Sequence, residues 1–192
     1  MNDWFERSPV VGFAPWIIYW IVADGRDSTW LYGALCAVLS ATILGASLGF
    51  GGLRMLDVVT IVFFAGVTIA ALTVGATERD WMDTYATTIS SGVLAAMALG
   101  SLAFTPFTEQ YARESAPQHE WERAAFRRTN RVLTLMWGLV FVLTAVLGVV
   151  AAEAPSTYDW TNWVIPIVVI VGAAGVTQAY PERAREHARR GS

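Results

Sequence analysis

The sequence predicts an all-α, polytopic transmembrane helix bundle with six membrane segments, and three observations carry that reading. Mean hydropathy is +0.45 over 192 residues. Only 15% of residues are charged, against about 25% in a soluble globular chain. Cutting the chain at every charged residue leaves six long uncharged runs: 8–23, 28–53, 58–77, 84–108, 132–152 and 160–181. A bilayer core of roughly 30 Å takes about 20 apolar residues, so five runs span it and the first is marginal. The whole chain, 1–192, reads as a single integral-membrane domain.

The first run is short and holds Pro15 among bulky Phe13, Trp16, Tyr19 and Trp20, which predicts a kinked or shallow helix. It reads as mature structure and not as a secretory leader. Asp3 and Glu6 outweigh Arg7 ahead of it, and Ile21-Val22-Ala23-Asp24 lacks a small-x-small cleavage pattern. In the second run Ala37, Ala41, Gly45 and Gly49 recur every four residues, a ridge of small side chains suited to close helix packing or to a homo-oligomer. Cys36, the sole cysteine, excludes an internal disulfide and reads as a small apolar packing residue.

Arg54 and Asp57, one helical turn apart before the third run, are expected to form a snorkelling interfacial ion pair. Within the third and fourth runs, Thr60, Thr68, Thr73, Ser90 and Ser91 are the hydroxyls a channel would use to line a path. The fourth run repeats the small ridge with Gly92, Ala96 and Gly100, and the fifth with Thr144, Gly148 and Ala152. Pro106 and Pro166 fall near run ends, where a missing backbone donor costs least.

Between the fourth and fifth runs, residues 109–131 predict a cytoplasmic interfacial helical segment. Pro117 is placed to start a helix, and Arg123, Arg127 and Arg131 then share one stripe beside Trp121 and Phe126. Those three arginines, with Trp121, are the candidate contacts to anionic lipid head groups, at about 1 kcal/mol per charge. A basic cytoplasmic tail, 182–192, follows the last run.

With six crossings, Arg7, Arg54, Arg113, Arg123, Arg127, Arg128, Arg131, Arg183, Arg185, Arg189 and Arg190 share one side, against Arg26 and Arg79 on the other. That bias places both termini in the cytoplasm and the protein in the inner membrane. The three outer loops each couple acid with tryptophan, as an aromatic belt does; three helical hairpins related by repetition would give the same pattern.

The composition excludes several chemistries. All 13 basic residues are arginine, so no lysine is present for a Schiff base or a phosphate-binding P-loop. His119 and His187 lie in charged segments at the membrane edge, so neither cofactor nor metal is expected, and no nucleic-acid partner. No ionisable group falls inside a run, as a cation-coupled transporter would require. Nor does a nucleophile elbow or a zinc-protease motif appear.

The opening Phe13-Ala14-Pro15-Trp16-Ile17-Ile18-Tyr19 stretch, together with Pro117, Trp121, Asn130, Trp137, Gly138 and Phe141, resembles the intracellular septation protein A-like family of small bacterial inner-membrane proteins. The likeness covers about a quarter of the chain. Pro117 and Trp121 stand four apart where the family pattern has them closer, and the basic tail is longer. The resemblance implies an accessory role in the cell envelope with no catalytic residues to carry over. The expected function is therefore a non-enzymatic scaffold whose partners are membrane lipids and a second copy or an envelope protein. A small-solute channel or facilitator is the alternative, and a membrane enzyme of unfamiliar type the third reading.

Overall fold

The computed structural model describes residues 9–22, 29–48 and 54–190. Among them every regular element is helical: α1 Pro9–Val22, α2 Thr29–Leu48, α3 Met55–Thr73, α4 Ala76–Thr84, α5 Ala86–Ser101, α6 Phe107–Ser115, α7 Gln118–Trp121, α8 Ala124–Glu153 and α9 Ile165–Arg190. A 3-10 turn at Pro155–Thr157 and a π-helical turn at Asp159–Val164 lead into α9. Among the described residues, three segments are long and apolar enough to cross a bilayer: Met55–Thr73, Ala124–Glu153 and Asp159–Tyr180. Shorter apolar helices cover Gly12–Ile21, Leu31–Ala46 and Ala86–Ser101. The chain is a helical membrane protein built as a bundle.

Large apolar side chains such as Val62, Ile69, Leu72, Leu139, Val168 and Val171 lie exposed along these helices, as a lipid-facing surface requires. The interior is aromatic. Phe13 of α1 stacks on Trp137 of α8 at 5.6 Å and meets Phe107 and Phe141; Trp16 stacks on Phe63 at 4.8 Å and packs against Phe64. Because lipid tails are as apolar as these rings, shape complementarity and ring-on-ring contact hold the helices together, not escape from water.

The most extensive pairing is α5 with α8, followed by α2 with α3. Both cut across the three hairpins suggested by the outer loops, while α1 with α2 and α8 with α9, the pairs within the first and third hairpins, pack less extensively. Along the α5–α8 seam Gly148 sits where an added Cβ would come within 3.0 Å of the Thr88 backbone nitrogen. Pro15 lies inside α1, whose 14 residues stay one helix. Ahead of Pro166 the backbone widens to the π turn, which makes room for a ring that would otherwise meet the carbonyl four residues earlier.

The segment 109–131 is divided among three helices. α6 ends at Ser115, α7 is a single turn, and α8 starts at Ala124 and continues without a break into its membrane span. Arg127 and Arg131 therefore sit on the first turns of a spanning helix, not on a separate interfacial one. No interruption occurs because residues 124–131 contain neither Pro nor Gly.

Candidate functional site

A cluster of polar contacts lies where α6 packs against α8 and the start of α3. Pro106 precedes α6 and offers no N–H, and the Phe107 amide donates to Ser101 Oγ at 3.1 Å. α6 is amphipathic: Phe107, Thr108, Glu109 and Tyr111 are buried, while Gln110, Ala112, Arg113 and Glu114 are half-buried. It stops at Ala116, held extended ahead of Pro117.

This short helix ties three others. Thr108 Oγ1 donates to the Asn130 carbonyl of α8 at 2.8 Å and lies 2.8 Å from Thr134 Oγ1. Gln110 Oε1 accepts the Met55 amide at 2.8 Å, satisfying one of the free N–H groups at the start of α3. Glu114 takes a two-pronged hold from Arg54, Nε at 2.7 Å and Nη2 at 2.6 Å. That same guanidinium stacks over the Tyr111 ring at 4.5 Å, while the Tyr111 hydroxyl presses on Gly12 of α1. Burial pushes the Tyr111 phenol above its usual range, the Asp57 carboxylate adds to this, and Arg54 opposes it. The phenol is therefore neutral at physiological pH.

Arg54 and Asp57 do not form the expected surface pair. Arg54 is committed to Glu114, 60 positions away, and Asp57 is buried at the head of α3 with Oδ2 lacking any hydrogen-bond partner. Glu109, also buried, pairs with Arg113 at 2.6 Å, and Arg113 in turn covers the Trp121 ring at 5.2 Å.

Thr60 is buried, donating to the Leu56 carbonyl and accepting Trp16 Nε1 at 2.7 Å. Ser90 is buried in the same fashion beneath Trp20 Nε1, at 2.9 Å. Thr68 and Thr73 bond their own helix, Thr73 on the exposed surface, and Ser91 is buried with no hydrogen-bond partner. Thr60, Thr68, Thr73 and Ser90 thus donate within their own helices, and Thr60 and Ser90 also accept from tryptophans of α1.

Arg123, Arg127 and Arg131 are exposed, Arg123 lying 3.9 Å from Glu120. Trp121 is half-buried and donates to the Ala116 carbonyl at 3.0 Å. In the α2 ridge Ala37 is half-buried, Ala41 and Gly45 are exposed with nothing within 4 Å of a Cβ at Gly45, and Gly49 lies outside the described residues. Among the described residues, no three metal-ligating side chains gather. Comparison of the chain with known protein families, known proteins and solved structures gives no match.

Proposed function

We propose that this chain is a non-enzymatic scaffold of the bacterial inner membrane, crossing six times with both termini cytoplasmic and contacting anionic lipid. The observation that carries the reading is the interior of the bundle. Where a conducting protein needs a wetted path, rings from α1, α3, α6 and α8 fill the space, and Trp16, Trp20 and Trp137 spend their N–H groups on Thr60, Ser90 and Thr177. The stretches that resemble the septation protein A-like family meet one another there, Phe13 of the first against Trp137 and Phe141 of the second.

Lipid contact rests on the length of α8. Thirty residues make a helix of about 45 Å, some 15 Å longer than the hydrocarbon core. The surplus turns carry exposed Arg127, Arg128 and Arg131 to head-group depth. Arginine suits that position because its planar fork holds phosphate oxygens two at a time.

The test uses protein purified from, and reconstituted into, vesicles containing phosphatidylglycerol. Replacing Arg123, Arg127 and Arg131 by Lys should keep insertion while reducing the anionic phospholipid retained in native mass spectrometry. Equal retention sinks the lipid contact, and vesicles that swell in gradients of small neutral solutes overturn the scaffold reading in favour of a channel. The topology has its own check. With Cys36 buried, a single thiol from Ser156→Cys should label in intact cells and one from Ala125→Cys only after permeabilisation; the reverse pattern inverts the orientation.

A further inference from the structure

Beside the cluster, α1, α2 and α3 leave a cleft of about 10 Å³, room for one water-sized occupant, lined by Gly12, Pro15, Ser40, Ile43, Asp57 and Thr60. The side-chain oxygens in its wall are acceptors. Asp57, 6% exposed, has an Oδ2 with no hydrogen-bond partner within the protein. The Ser40 hydroxyl spends its proton on the Cys36 carbonyl at 2.6 Å and keeps its lone pairs. Thr60 is already engaged twice, donating to the Leu56 carbonyl and accepting Trp16 Nε1, each at 2.7 Å. Two oxygens on different helices are thus left to accept from an occupant: Ser40 Oγ on α2 and Asp57 Oδ2 on α3. Pro15, without an N–H, and Ile43 bring no side-chain donor to compete for them.

The charge of the occupant follows from its position. Asp57 lies in the first turn of α3, where the positive end of the helix already favours a carboxylate. A cation would meet that positive end, and an anion would meet the carboxylate itself. What the wall calls for is a neutral donor of two protons. We propose that the cleft binds one water molecule, which donates one proton to Asp57 Oδ2 and the other to Ser40 Oγ and so bridges α3 to α2. Two such bonds lie within the range of about two to four that a buried water makes. The bridge matters most to Asp57, because a buried charged oxygen left without a donor costs more than a neutral one.

The experiment is magic-angle-spinning NMR of the full-length protein in lipid bilayers, with ¹³C-labelled aspartate and serine and magnetisation started on water protons. Asp57→Asn identifies the Asp57 carboxyl signal by its loss. In the unmutated protein, water should pass magnetisation to Asp57 Cγ and to Ser40 Cβ at the short mixing times that suffice for exposed Asp80. Ser40→Ala, which removes one of the two acceptors and leaves the carboxylate, should abolish most of the transfer to Asp57 and lower the unfolding midpoint by about 2–4 °C. In an Asp57→Leu background the same serine change should move the midpoint by less than about 1 °C, because the bridge is already gone. Should Asp57→Leu fail to fold, the NMR of the unmutated protein and of Ser40→Ala decides the matter. An Asp57 carboxyl that stays silent where Asp80 responds is dry and overturns the proposal. So does a transfer to Asp57 that Ser40→Ala leaves unchanged, because water would then reach the carboxylate without being held between the helices.

Discussion

Gly148→Leu should lower the unfolding midpoint by about 10 °C, while Gly45→Leu should move it by less than about 2 °C. Both glycines sit in four-residue ridges that look alike in sequence, and their surroundings differ. A Cβ at Gly148 would stand 3.0 Å from the Thr88 nitrogen and 3.4 Å from its Cα. These are backbone atoms of α5, which cannot rotate aside, so α5 and α8 must separate along their whole seam, at a cost of about 3 kcal/mol. Thr88 Oγ1, which reaches the Ala145 carbonyl at 3.3 Å, would lose that contact too. A Cβ at Gly45 meets nothing within 4 Å. Thermal unfolding combined with size-exclusion chromatography reads both variants. A tolerated Gly148→Leu would mean that the α5–α8 seam is not as close as described. A disruptive Gly45→Leu with loss of a larger species would mean that a second copy covers the α2 ridge.

The contrast shows where the sequence is legible. Small-residue spacing marks which helices can approach another closely, but not which face does so, because the neighbour is set by tertiary packing. The helices themselves were plain. All six uncharged runs correspond to apolar helices, from α1 over 9–22 to the turn and helix over 159–190, since charge is what a bilayer excludes. Cutting the chain at charged residues nevertheless has a built-in blind spot. It puts every charge at a boundary, so Asp57 was placed outside the third run, although α3 begins at Met55 and buries it.

The cluster around Asp57 was less visible still. Glu109 and Arg113 announce themselves by their spacing of four, and they do pair. Nothing local connects Arg54 with Glu114 or Met55 with Gln110, because those partners meet only once α6 has folded back over the end of the bundle. The amphipathic pattern of Phe107, Thr108 and Tyr111 was the one available signal that α6 belongs to the core and does not lie free on the membrane. Similarly, the length of α8 could not be read from its uncharged portion, since arginines at 127, 128 and 131 interrupt the hydrophobic run without interrupting the helix.

Arg54→Ala should destabilise the protein by about 3 kcal/mol, a fall of about 10 °C in the midpoint. Three contacts go at once: both prongs on Glu114 and the cation over Tyr111. The Arg54 side chain is 13% exposed and that of Glu114 26%, so water softens the loss below that of a fully enclosed pair. What remains is worse than what was removed, because the carboxylates of Glu114 and Asp57 are left near one another without the guanidinium between them. Arg54→Lys should recover less than half, since an ammonium cannot supply the fork or lie flat on the ring. Replacing both partners, as in Arg54→Met with Glu114→Leu, should restore most of the stability, because no charge is then left stranded. Thermal unfolding of the single and double variants closes the cycle. Should the double variant prove as unstable as Arg54→Ala, the pair would be acting through something other than mutual neutralisation. Should Arg54→Ala prove harmless, α6 would be held to the bundle by Thr108 and the aromatic seam alone.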